Sequence, residues 1–167
     1  MVYTTLNGFF GDWDYESQST IKMFGFLTDE SLKQKVTPDG RSLGFLGWHL
    51  IETMSEMPGR TGLKIFSPDL NHYNTASADH LRECYKNASD SLIEKIKDNW
   101  NDETLLQEDD MYGEQWKRGF TLSCLITHQI HHRGQMTVLM RQAGLKVNGI
   151  YGPSKEEWAA YGMHAPE

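Results

Sequence analysis

Apolar residues recur along this chain at spacings of three and four, the period that puts them on one side of an α-helix. Four such stretches stand out, separated by residues that break helices. The first runs from about Asp12 to Leu27, with Trp13, Ile21, Phe24 and Phe26 among its apolar positions. The second opens after "TPDGRS", with Ser42 as N-cap, and continues through "LGFLGWHLIETMSEM" until Pro58 and Gly59 stop it. The third follows "NTAS" and spans Ala78 to Trp100, carrying Leu81, Tyr85, Ala88, Leu92 and Ile96. The fourth starts near Glu114 and ends at Gly144, a residue suited to the left-handed position that closes helices.

The connections refine this picture. The link "PGRTGLKIFSPDLNHYNTAS" is longer than the first one and has room to cross a bundle. The acidic link "NDETLLQEDDMYG" reads as a solvated loop with at most a short extended piece. After Gly144 comes a Gly-rich tail in which Ser154 and Glu157 have capping-box spacing, so a short helix is expected to carry Trp158 back onto the helices. No strand-rich region, repeat or low-complexity tract is visible. Four helices with one apolar stripe each are best buried against one another. The pattern predicts an all-α fold: one domain over residues 1–167, an antiparallel four-helix bundle with a short C-terminal extension.

Composition narrows the possible partners. The net charge of −7, from 23 acidic and 16 basic residues, opposes general nucleic-acid binding, which depends on Lys and Arg neutralising phosphates. The N-terminus has no basic segment followed by a long apolar run, and nowhere does an apolar stretch approach the ~18 residues of a membrane span. Cys84 and Cys124 lie in separate helical patterns, more like reduced thiols than a disulfide framework. A cytoplasmic protein with a small-molecule substrate, no nucleic acid and no membrane is expected.

The candidate chemistry lies in "SCLITHQIHHRGQMTVLMRQAG", residues 123–144. Successive helical residues turn by about 100°, so His128 and His132 leave the same side of the fourth helix one turn apart. Thr121, Leu125, Gln135 and Leu139 share that stripe, and His131 lies at its edge. A pair at this spacing can chelate a transition metal, as in the metalloprotease motif H-E-x-x-H. Gln129 stands where that motif has its general base, so a peptidase mechanism loses its main support. The alternative is a pair of core histidines hydrogen-bonded to other helices. On the second helix, His49 borders the apolar stripe near Phe45 and Leu46, flanked by Gly44 and Gly47. Glycine inside a helix costs about 1 kcal/mol relative to alanine, which close helix approach or room for a ligand would offset. His72, His80 and His164 lie in the long link, at the start of the third helix and in the tail.

"LITHQIHHRGQMTVLMRQAG" followed by "LKVNGIYGPSKEEW" resembles the fourth helix and tail of the DinB/YfiT-like family, and "SLGFLGWHL" resembles its second-helix histidine region. The resemblance covers essentially the whole chain and is most specific over residues 121–158; Asn148 departs from a proline common among such tails. It implies a metal-binding four-helix bundle in up-down-down-up order, with His49, His128 and His132 as ligands. It also implies a homodimer, for which Trp116, Phe120 and Met140 offer apolar surface. His131 is left with a structural or pocket-lining role, Gln135 is expected to face inward as a contact to a ligand histidine or substrate, and Arg133 to form an ion pair.

Three neutral histidines leave a divalent metal's charge uncompensated and a coordination position open, which suits thiol activation or water activation. Zn²⁺ is the default and imidazole also suits Ni²⁺. Relatives that use bacillithiol or mycothiol make thiol transfer to small electrophiles the leading expectation, with an external low-molecular-weight thiol as cosubstrate because Cys124 reads as a buried structural cysteine. A metal-dependent hydrolase using Glu52 or Glu56 as base, and a non-enzymatic metal-binding stress protein, remain as alternatives.

Overall fold

The computed structural model describes residues 2–69 and 77–166, so His72 lies outside the described residues. Four long helices dominate: α1 (Leu6–Phe24), α2 (Leu43–Gly59), α3 (Ala78–Asn99) and α4 (Arg118–Gln142). Short 3-10 turns at 31–33, 102–106 and 155–161 punctuate the connections.

Three of the four long helices start at side-chain caps. Ser42 Oγ accepts from Phe45 N at 3.1 Å and opens α2 at the expected place. Ser77 does the same for α3 through His80 N. The start of α1 differs from the expectation: Thr5 caps it through Gly8 N, and Leu6 and Phe9 extend the buried stripe one and a half turns ahead of Asp12. Gly8 and Gly11 weaken the helical signal there, but Phe9 and Trp13 are almost completely buried and hold the segment in place. In α2, Pro58 lies inside the final turn, and the helix ends at Gly59.

The expectation of an all-α chain is corrected by a β-hairpin. β1 (Glu108–Met111) pairs antiparallel with β2 (Glu114–Lys117), Glu108 opposite Lys117 and Met111 opposite Glu114. Tyr112 and Gly113 form the two-residue turn with φ of 61° and 90°, the double left-handed geometry that matches the twist of a tight hairpin. The acidic composition hid this element, and residues 114–117 read as the first turn of α4. Arg118 fixes the hairpin's base: its guanidinium makes two bonds to Asp109, at 2.8 and 3.1 Å, and stacks 5.1 Å above the Trp100 ring.

In the core, α2 contacts α3 and α4, and α1 contacts the same two helices. Gly47 is what lets α2 approach α3 closely, since a Cβ there would sit 2.7 Å from Leu81 Cδ2. Helix ends meet in pairs. Tyr3 N, just before α1, donates to Gly119 O in the first turn of α4. Ala78 N at the start of α3 donates to Asp29 beyond the end of α1, and Leu6 N at the start of α1 donates to Asp102 beyond the end of α3.

Two polar groups run through the interior. Gln129 is fully buried; it accepts from Tyr85 Oη at 3.0 Å and donates to Leu50 O at 2.9 Å, joining α2, α3 and α4. Arg133 is also buried and pairs with Glu16, while donating to Glu16 O and Thr20 Oγ1. Tyr151 from the tail adds a bond to Glu16 at 2.5 Å. Of the expected capping box, the half from Glu157 forms, its carboxylate accepting from Ser154 N at 3.0 Å, while Ser154 Oγ has no partner among the described residues; the turn is 3-10 and leaves Trp158 only half-buried.

Candidate metal centre

α2 delivers His49 from its second turn, and α4 delivers His128 and His132 from its middle. The periodicity of α4 puts the last two on one side, and the close packing of α2 on α4 brings His49 up to them. Ring centroids lie 4.9 Å apart for His49 and His128, 4.8 Å for His49 and His132, and 4.4 Å for His128 and His132. One ring nitrogen from each falls within 4.8 Å of the others.

These three side chains fit a metal. His128 Nε2 and His132 Nε2 are 3.1 Å apart. Two imidazoles bound tetrahedrally to one zinc ion at ~2.0–2.1 Å have nitrogens about 3.3 Å apart, so the pair is spaced for a shared ion with little rearrangement. Gln135 Oε1 lies 2.7 Å from His132 Nδ1. An amide oxygen only accepts, so this contact places the proton on Nδ1 and leaves the Nε2 lone pair facing the other histidines. His128 has no such support: its Nδ1 is buried without a hydrogen-bond partner among the described residues.

Electrostatics keep the cluster neutral. Burial lowers the pKa of His49, His132 and His128, and the neighbouring rings lower His128 and His132 as well, so that His128 is brought to about 4 by the two effects together. Glu52 Oε2, 3.9 Å from His49 Nδ1, opposes the shift at His49. Neutral imidazole is the form that ligates.

A cavity of about 780 Å³ adjoins this cluster, and His49, His128 and the exposed His131 are among its lining residues. Met57 of α2 and Tyr112 and Trp116 of the hairpin also line it. Glu56 is held on both oxygens, by Arg60 Nε at 2.6 Å and Tyr112 Oη at 2.5 Å.

Other residues singled out in the sequence fall in different places. Gln135 contacts His132 as expected, but from an exposed position rather than an inward-facing one, and its Nε2 lies 3.1 Å from His131 Nε2. Arg133 forms its ion pair on the far side of α4, in the core. Cys124 is half-buried on the cavity wall, its thiol pKa raised by burial. Met140 is completely buried and offers no surface to a partner. Sequence reasoning missed the hairpin's share of the pocket. The signal was present in Tyr112-Gly113, a two-residue turn between short segments, but Asp109 and Asp110 disguised it.

Comparison with known proteins agrees with this geometry. The DinB family profile matches residues 1–167. The chain belongs to the DinB family. This DinB chain is 42% identical over 166 residues to the uncharacterized protein YrdA of Bacillus subtilis, covering 99% of each. A DinB-like protein from Bacillus cereus has a crystal structure with a TM-score of 0.85 at 40% identity, covering 89% of this chain and 99% of that one. The DinB-like protein YjoA of Bacillus subtilis, 16% identical, shares the fold with a TM-score of 0.69 over 87% of this chain and 98% of its own. No helix among the described residues is long and apolar enough to cross a membrane.

Proposed function

We propose that this DinB-family chain is a metal-dependent enzyme that transfers a low-molecular-weight thiol, such as bacillithiol, onto small electrophiles, with Zn²⁺ or Ni²⁺ held by His49, His128 and His132. The observation that carries the reading is the meeting of three neutral histidines within 4.8 Å beside a cavity of about 780 Å³ that His49 and His128 help to line. No fourth His, Cys, Asp or Glu joins the cluster among the described residues, whereas a structural zinc site is closed by a fourth protein ligand.

A divalent cation there would stabilise the ionised form of a thiol at neutral pH. The chain's own residues do the rest. His49, His128 and His132 hold the ion without cancelling its charge. Gln135 orients His132, and the cavity positions the electrophile. The thiol gives up its proton to solvent, and its sulfur bonds to the electrophilic carbon as a halide leaves, or adds to one carbon of a carbon–carbon double bond while the other carbon takes a proton from solvent.

Hydrolysis is the second reading, favoured by Glu52 beside His49. Against it, Gln129 is an amide with no basic group and is bonded within the core, and both oxygens of Glu56 are engaged by Arg60 and Tyr112. The third reading, a non-catalytic metal-binding protein, has no use for the cavity.

The same proposal includes one domain, a four-helix bundle in up-down-down-up order, a homodimer and a cytoplasmic location. The pairing of the starts of α1 and α4, and of each end of α1 with the opposite end of α3, supports that helix order. Exposed Phe120 and Val138 on α4 support a dimer face; a monomer by light scattering across micromolar concentrations would remove it.

The test is to incubate metal-loaded protein with a haloaromatic or maleimide electrophile, with and without bacillithiol, cysteine or glutathione. Thiol-dependent turnover that disappears in His128→Ala is expected. Equal turnover without thiol, or ester hydrolysis with no thiol consumption, would favour the hydrolase.

A further inference from the structure

The lining of the cavity is chemically mixed. His49, His128 and His131 contribute ring nitrogens. Trp116 and Tyr112 from the hairpin, Thr53 and Met57 from α2, and Cys124 and Thr127 from α4 form another part of the wall. The hydroxyl and indole groups of that wall are already bonded within the protein. Trp116 Nε1 donates to Glu114 Oε2 at 2.9 Å, and Tyr112 Oη to Glu56 at 2.5 Å. Thr53 Oγ1 donates to Leu50 O at 3.1 Å, and Thr127 Oγ1 to Ser123 O and Cys124 O. What remains toward the cavity is carbon and sulfur.

The aromatic part of the wall is held in place. Trp116 meets Phe120 edge to face at 5.0 Å and Tyr112 at 5.9 Å. Arg60 lies 4.4 Å over the Tyr112 ring and bonds the same Glu56 that Tyr112 does. Ring contacts favour an aromatic guest over a saturated one of the same size, and a thioether such as Met57 adds to that preference. The volume suits a drug-sized molecule. Glu52 and Glu56 on the lining oppose an anion.

We propose that the part of the cavity lined by the hairpin and Met57 is a subsite for an uncharged aromatic ring, and that Trp116 is its specificity-determining residue. The inference rests on the cavity being the substrate site of the proposed transferase, and it narrows the electrophile to an aromatic one whose ring sits against the hairpin and α2.

The experiment is calorimetric titration of metal-loaded full-length protein with 2-naphthylmethanol and its fully saturated decalin analogue, neither of which is an electrophile. Binding of the naphthyl compound about fivefold or more tighter than the decalin is expected from ring–ring contacts. Trp116→Leu should remove that preference and Trp116→Phe should keep most of it, with circular dichroism confirming that both variants are folded. Equal affinity for the two compounds, or an undiminished preference in folded Trp116→Leu, would overturn the proposal. Metal content is measured separately on the same protein and on His132→Ala, whose side chain does not line the cavity. Ring preference that persists in metal-free protein supports the subsite independently of the metal; its absence from fully loaded protein overturns the subsite and leaves the metal reading standing.

Discussion

His132 Nδ1 and Gln135 Oε1 lie 2.7 Å apart, one turn along α4. The contact selects the tautomer of His132 that leaves Nε2 unprotonated, and it ties ligand orientation to an exposed amide. Such supporting hydrogen bonds are worth about 10–100-fold in metal affinity. Gln135→Leu is therefore expected to weaken metal binding by roughly that factor with unchanged helicity, measured by competition with a chromophoric chelator. Unchanged affinity would mean that the amide does not position the ring.

Gln129 gives the opposite outcome. Replacing it with Leu leaves the buried Tyr85 Oη without its acceptor, at a cost of about 1–3 kcal/mol, while Leu50 O keeps its bond from Thr53 Oγ1. Urea unfolding should show that loss, while metal content of the folded variant stays at the wild-type value. A metal-free but fully stable Gln129→Leu would place Gln129 at the site instead of in the core.

Glu16 and Arg133 form a buried pair whose loss is asymmetric. Glu16→Leu strands the Arg133 guanidinium and should cost about 3–5 kcal/mol. The double variant Glu16→Leu, Arg133→Met should recover part of that loss. Urea midpoints of the three proteins decide it, and a double variant less stable than Glu16→Leu would contradict the account.

Glu157 accepts from Gly149 N at 2.8 Å and Ser154 N at 3.0 Å, and these bonds lower its pKa below the usual 4.5. A depressed folded-state pKa contributes stability above the unfolded value and loses it as pH falls through the folded one. Amide exchange at Gly149 and Ser154 should therefore accelerate as pH drops below about 4.5, after correction for intrinsic rates. In Glu157→Gln the acceleration should be absent and protection lower throughout.

Much of this was legible in the sequence where one signal dominated. The cap at Ser42, the start of the third helix after "NTAS", the stripe from Leu81 to Ile96 and the side shared by His128 and His132 follow from local geometry. His49 reaches the site through the packing of α2 on α4, and its place beside the α4 pair followed from family resemblance more than from its own helix. What failed to show depended on partners distant in sequence. The early start of α1 is held by burial of Phe9 and Trp13, and the hairpin by Arg118 on Asp109. Gln129 could be seen only as the absence of a base, because its partners, Tyr85 and Leu50, come from other helices.

The central claim is that His49, His128 and His132 bind one divalent ion together. Elemental analysis of purified wild-type protein and of the three single alanine variants, each confirmed folded by circular dichroism, tests it most directly. About one ion per chain is expected in the wild type and a large loss in every variant. Full occupancy retained in all three variants would contradict it.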